Sequence, residues 1–175
     1  DISKPRKGMN NMYNNFNPNQ YPLNANIPMG YQNYPSQLIN LKDYGPKPIV
    51  FNMEEASRQN KNFRIAFWTG RHFQITLMCI PVGQDIGLEL HPHVDQFLRI
   101  EEGQGLVQIG NRKDRLDFQR RVHDGYAIVI PAGKWHNLIN TGCTPLRLYS
   151  IYAPPEHPHS TVHATKYEAE EHHGY

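Results

Sequence analysis

The chain has 175 residues, enough for one domain with a real core. Eighteen Lys and Arg face sixteen Asp and Glu, a formal charge of +2, which argues against a nucleic-acid-binding surface. Arg112, Lys113, Arg115, Arg120 and Arg121 gather around one loop and read as a solvated face. No apolar run approaches a membrane span, and none has the character of a signal-peptide h-region. The two cysteines, Cys79 in an apolar run and Cys143 in a turn, form no disulfide framework and no C-x2-C pair. A cytoplasmic setting is the expectation.

Residues 9–40 are dominated by Asn, Tyr, Pro and Gln and carry almost no charge. Such a stretch buries too little apolar surface to offset its own ordering entropy. Residues 1–46 are therefore read as a disordered or assembly-related arm, 47–165 as the globular domain, and 166–175 as a polar tail. In the assembly reading, the arm's Tyr side chains dock on a neighbouring subunit. Its composition also resembles the ends of bacterial spore-coat proteins.

Asn52 followed three residues later by Glu55 has capping-box spacing, which predicts a short helix from Met53 to Gln59. Strands follow in quick succession. Residues 63–70 and 73–82 are β-rich and end in Gly or Pro-Val-Gly. Residues 86–100 alternate and bend near Pro92, and 105–111 and 114–122 bracket a hairpin turn at Gly110-Asn111. Residues 126–133, 136–142 and 145–154 complete the set. Short strands at this spacing, with Gly/Pro turns and no long helical period, predict an all-β barrel or jelly roll.

The chemistry is concentrated in two clusters. Glu89-x-His91-x-His93 places two imidazoles on one face of a strand, because strand side chains alternate. Some thirty residues beyond His93 the run Gly125-x5-Pro131-x-Gly133-x2-His136-x3-Asn140 delivers a third imidazole after a Pro-Gly turn. Three converging imidazoles predict a transition-metal site of the Zn, Fe, Mn, Ni or Cu type. Glu89 shares the parity of His91 and is read either as a ligand or general base, or as a salt-bridged barrel residue. Arg99 is a candidate partner for it or for a substrate anion.

These motifs resemble the two paired motifs of the cupin superfamily. The second matches at Gly125, Pro131, Gly133, His136 and Asn140. The first contributes His91, His93 and a closing Gly103, with Gly83 and Gly87 flanking the position of its opening glycine. More narrowly, residues 47–170 are similar to small single-domain bacterial cupins often labelled mannose-6-phosphate-isomerase-like. The resemblance implies a cupin double-stranded β-helix with a metal held by His91, His93 and His136. It also implies that Gln96, standing where the family has a glutamate, is the fourth ligand. Replacing carboxylate by amide removes a charge and weakens the hold on hard divalent ions.

Further candidates for the mouth of the barrel are Gln74, Thr76, Trp135 and Tyr149 as substrate-binding groups. Gln74, Thr76 and Met78 alternate on one strand face against Phe73, Ile75, Leu77 and Cys79 on the other, and the sequence leaves open which face is inside. Tyr149 and Tyr152 have opposite parity, so one of them faces inward. His157, His159 and His163 read as surface loop histidines. The functional expectation is a metal-binding cupin that binds or acts on a small polar, sugar-like metabolite, as an isomerase or dioxygenase. The alternatives are a ligand-binding cupin without turnover and a structural, spore-coat-like protein assembled through its arm. The expected partners are a small-molecule ligand and a second copy of the chain, without nucleic acid or membrane.

Overall fold

A computed structural model of the protein describes residues 38–172. The arm expected over residues 1–46 lies outside the described residues up to position 37, as do residues 173–175. The helix α1 runs Met53–Gln59, and the Asn52 side chain caps it by accepting from Glu55 N at 3.1 Å. Glu54 and Glu55 in the first turn and Arg58 in the last complement the helix dipole.

Among the described residues ten strands follow: β1 Arg64–Thr69, β2 Gln74–Ile80, β3 Glu89–Leu90, β4 Asp95–Glu102, β5 Gln104–Gly110, β6 Phe118–His123, β7 Ala127–Ile130, β8 Trp135–Asn140, β9 Leu146–Ala153 and β10 Val162–His163. A second helix, α2, spans Lys166–His172. The strands form a six-stranded sheet in the order β10-β1-β2-β9-β4-β7 and a four-stranded sheet in the order β3-β8-β5-β6. All pairings are antiparallel, and the two sheets share one core, so the fold is the expected all-β double-stranded β-helix.

The hairpin expected at Gly110-Asn111 differs. β6 starts only at Phe118, and a small turn closed by Arg115 N donating to Arg112 O (3.1 Å) fills the gap. Charged residues at Arg112, Asp114, Arg115 and Asp117 pair locally there, which keeps this stretch out of the ladder.

Alternation decides the core. Met78, Ile80, Leu98, Ile100, Leu146 and Leu148 face inward with Val107 and Leu138 from the other sheet. The opposite parity on β1 and β2, Ile65, Phe67 and Leu77, faces outward and is covered by α1 and by Ile39, Leu41, Tyr44 and Phe51. The inward rows change character along the barrel. Met78 pairs with Leu148 and Leu148 with Ile100, an apolar row. Thr76 pairs with Ser150, and Gln74 pairs with Tyr152, which pairs with Gln96. One end of the interior is therefore packed with aliphatic side chains and the other is lined with buried polar ones.

Asp43 fastens three distant segments. Its side chain is fully buried and accepts from Gly45 N and Thr69 N (both 2.9 Å), from Thr69 Oγ1 and from Ser160 N (3.0 Å). Burial alone would raise its pKa, but the bonds from Ser160, Thr69 and Gly45 outweigh this and hold it below the usual value. A depressed carboxyl adds stability above its unfolded pKa, and that stability is lost as pH falls through the folded one. Asp43→Asn should therefore cost about 1–3 kcal/mol at neutral pH. The gap to wild type should narrow below about pH 4 in urea denaturation curves.

Candidate metal centre

Two turns bring the centre together. β3 ends at Leu90, and the chain turns through Pro92 before β4 begins at Asp95. Gly133, whose φ of 77° suits a residue without Cβ, turns the chain into β8. Gly133 N donates to the carbonyl oxygen of His91 at 2.8 Å, which joins the two turns. Beside them Glu89 pairs with His136 in the β3–β8 ladder, so both side chains leave the same face of the sheet. Asn140, the last residue of the second motif, rivets the frame: its amide donates to Ile80 O and Thr144 O, both at 2.9 Å.

Glu89, His91 and His136 offer ligand atoms that all lie within 4.8 Å of one another. His91 Nε2 and His136 Nε2 each stand 3.5 Å from the same carboxylate oxygen, Glu89 Oε1. That is longer than a good hydrogen bond, and none of the three buried atoms has a hydrogen-bond partner. The other imidazole nitrogens are held. His136 Nδ1 is 2.9 Å from Lys134 O, and His91 Nδ1 is 3.1 Å from Glu156 Oε1. An acceptor at each Nδ1 fixes the proton there and leaves the Nε2 lone pairs directed at the common point, the arrangement that orients metal-bound histidines. Atoms bound about 2.0–2.2 Å from one ion stand roughly 3–3.5 Å apart, so this donor set fits a transition metal with little movement.

The electrostatics favour an ionised Glu89 but also make His91 easier to protonate, a proton that a metal at Nε2 would have to displace. Burial alone would raise the pKa of Glu89, but contacts with His136 and His91 and the charge of Arg64 outweigh it. The carboxyl is held well below the usual carboxylate range and is ionised at neutral pH. Burial disfavours a charged His91, whereas Glu89 and Glu156 on its two sides outweigh that and raise its pKa.

Tyr152 and Arg64 adjoin this group, Gln96 pairs with Tyr152 in the ladder, and all three are buried, as is Thr76. The Tyr152 ring meets His91 edge-on at 5.6 Å, and its burial pushes the phenol pKa up. Gln96 donates from Nε2 to Ser150 Oγ at 3.0 Å, while its Oε1 has no hydrogen-bond partner. A cleft of about 540 Å³ opens beside the centre, lined by Arg64, Glu89, His91 and Glu156 on the barrel side and by Lys166 and Tyr167 of α2 on the other. A concavity of about 570 Å³ along β5 and β6 is lined by none of the three donors.

The expected pair of histidines on one strand face is not formed. His93 stands exposed in the Pro92 turn, because the strand has already ended and alternation no longer applies. Gln74 and Thr76 do face inward with Met78, as one of the two faces left open. Gln74 is engaged in clamping the loop after β9: it donates to Thr69 Oγ1 and His157 O and accepts from His157 N. Arg99 points outward beside Glu101 at 3.5 Å. Trp135 has the opposite parity to His136 and lies under Lys113. Tyr149 packs on the outer side with Phe97, so Tyr152 is the inward tyrosine. His157 and His163 are buried, unlike the loop histidines expected there, and only His159 is exposed.

Arg64 and Glu156 were not among the sequence candidates, and Tyr152 entered only as the alternative to Tyr149. Arg64 had a legible signal: it is the lone charge within the β-rich run of residues 63–70. Glu156 reaches His91 only because the loop after β9 folds back, which no spacing rule announces.

A cupin-domain family matches residues 76–152, which contain all three donors. The uncharacterised protein YrkC of Bacillus subtilis is 63% identical over 136 residues, which cover 78% of this chain and 73% of YrkC. The chain belongs to the cupin superfamily. A crystal structure of BH2720 from Bacillus halodurans is also 63% identical, covers 74% of this cupin and 98% of that chain, and superposes with a TM-score of 0.74. The uncharacterised protein L612 of Acanthamoeba polyphaga mimivirus is 40% identical over 110 residues, 62% of this chain and 67% of L612. Among the described residues, no helix is long and apolar enough to cross a membrane.

The Tyr152 hydroxyl is buried without a well-formed hydrogen bond, its polar neighbour being Ser150, so it contributes little to the stability of the unliganded fold. Tyr152→Phe should leave the midpoint of urea denaturation unchanged or raised, by no more than about 1 kcal/mol. A larger loss would mean that the hydroxyl has an essential structural partner.

Proposed function

We propose that this cupin holds one divalent transition metal between Glu89, His91 and His136, and uses it to bind and act on a small polar, sugar-like metabolite. The observation that carries this reading is the pair of imidazoles with Nδ1 satisfied and Nε2 unpartnered, both facing one carboxylate oxygen. Two imidazoles and one carboxylate form a donor set used for catalytic Zn²⁺ and for non-haem Fe²⁺, and it leaves coordination positions for a ligand. Such an ion supplies Lewis-acid polarisation of a carbonyl or hydroxyl oxygen, or oxygen chemistry if it is iron.

The chain's own residues divide the remaining work. Glu156 and the Lys134 carbonyl orient the two imidazoles. Glu89 brings the negative charge that the Gln96 position lacks. Gln96 Oε1, within the same buried polar end, is a neutral oxygen suited to a fourth contact with the ion or to a ligand hydroxyl. Tyr152 and Thr76 offer hydroxyls to the ligand from the same interior face, and α2 shields the cleft from bulk water on one side.

Elemental analysis of the full chain tests the reading. Wild type should carry close to one ion per chain. Glu89→Gln, His91→Ala and His136→Ala should each lose it, and His93→Ala should keep it. Glu156→Gln should weaken the affinity by about 10–100-fold, as loss of an orienting partner does. No ion in wild type after reconstitution, or loss with His93→Ala but not with His136→Ala, would sink the proposal. A folded, metal-free wild type would instead favour the binding or structural alternatives.

A further inference from the structure

The cleft beside the centre contains a cation that the metal reading does not use. Arg64 begins β1, and its ladder partners are Met78 on one side and His163 on the other. Its side chain is only 2% exposed, yet it lines the cleft together with Glu89, His91 and Glu156. Two of its donors, Nε and one terminal nitrogen, have no hydrogen-bond partner. The nearest carboxylate oxygen is Glu89 Oε2 at 3.8 Å, too far for a hydrogen bond. A guanidinium kept only to neutralise Glu89 would be expected to grip it in the two-pronged geometry that suits carboxylates. This one is held away from it, with its unpaired nitrogens buried in the wall of the cleft, and buried unpaired donors are costly in a native fold.

The other cations near the site are engaged or turned away. Lys166, across the cleft, pairs with Asp85 and lies 3.5 Å from Glu170. Arg99 lies on the outer face. At the inner end of the cleft a divalent ion and Arg64 together outweigh Glu89 and Glu156 by one positive charge, which suits an anion there, whereas Glu170 and Glu171 of α2 make the outer rim acidic. Phe63, Ile86 and Leu88 supply an apolar wall behind it, and the low polarizability of that wall strengthens a charge-assisted bond.

We propose that Arg64 is the specificity-determining residue of the cleft, and that the ligand is a small hydroxylated metabolite carrying an oxyanion, either carboxylate or phosphate. This narrows the ligand class of the function proposed above and rests on it for the placement of the ion. Arg64 grips the oxyanion with its fork, while the hydroxyl end of the ligand turns toward the Glu89, His91 and His136 donors.

The test is calorimetric titration of the full chain as purified, with metal content measured in each sample. The probes are glycolate, glycerol 3-phosphate, and the uncharged ethylene glycol and glycerol. Wild type should bind at least one of the two anions and neither uncharged diol or triol, and the anion that binds identifies carboxylate or phosphate as the source. Arg64→Gln should keep its metal and bind that anion about tenfold or more weakly. Arg64→Lys should fall between the two, since it keeps the charge and loses the fork. If Arg64→Gln does not fold or loses its metal, Arg64→Lys and the contrast between charged and uncharged probes in wild type decide. Equal binding of charged and uncharged probes, no binding of either anion, or wild-type affinity in Arg64→Gln would overturn the proposal. A metal-free wild type that still binds an anion through Arg64 would sink the metal centre and leave Arg64 standing. A metal-loaded wild type indifferent to both anions would do the reverse.

Discussion

The hydrogen bond from Gly133 N to the carbonyl oxygen of His91 joins two turns that are far apart in sequence. Each turn alone is a loop, and loops are poor platforms for chemistry that requires sub-ångström placement. Tied together, they become one surface. The β3–β8 pairing then sets Glu89 and His136 side by side, and the amide of Asn140 pins the far end of β8 to Ile80 and Thr144. This frame explains why the second motif reads Gly-Pro-Gly-His-Asn, although only its histidine faces the proposed ion. Gly133 supplies the left-handed turn and Asn140 the rivet. Asp95 adds a third tie by accepting from Ala132 N at 2.8 Å.

Such a frame holds a costly interior. Unpaired buried polar groups cluster at one end of the barrel interior, on Arg64, Thr76, Glu89, His91, Gln96, His136 and Tyr152, with others outside it on Ser57, Asn137 and Arg147. Each such group costs about 1–3 kcal/mol relative to a satisfied one. The same barrel has a second end where Met78, Ile80, Leu98, Ile100, Leu146 and Leu148 are essentially excluded from solvent. Each of those side chains contributes about 1.5–3 kcal/mol by leaving water. The register makes the division possible: four inward rows across β2, β9 and β4 run from wholly apolar to wholly polar, with no change in backbone architecture. The strained end is therefore the end with something left to bind.

The fold was legible in the sequence because alternation, Gly/Pro turns and the second motif all point the same way. The helix cap at Asn52 and the shared face of Gln74, Thr76 and Met78 follow from local rules, but which face of that strand is inside does not. The donor set was harder. Reading His91 and His93 as one face assumed that the strand continues, but β3 has only two residues, and Pro92 ends it. The same assumption holds one step earlier, where Glu89 and His91 lie on one side and Glu89 faces the centre. Parity also limited Tyr149 and Tyr152 to a choice of one, and only the packing of α1 against the outer sheet face decides for Tyr152. Glu156 arrives through a folded-back loop, a contact that sequence periodicity does not encode.

Gln96 is the departure around which the centre is arranged. Placing an amide where the resemblance implies a carboxylate removes a negative charge that a divalent ion would favour. Here the carboxylate is delivered from β3 instead of β4, so the charge available to an ion is kept while its direction changes. Gln96 remains on the inner face, next to Tyr152 in the ladder, with its amide nitrogen committed to Ser150 and its oxygen unpaired. A carboxylate at that position would put a second negative charge into the buried interior that already faces Glu89, and burial alone would disfavour it. With an amide there, Glu89 keeps Arg64 as a neighbouring cation without surrendering Oε1, and the guanidinium is left with donors to spare.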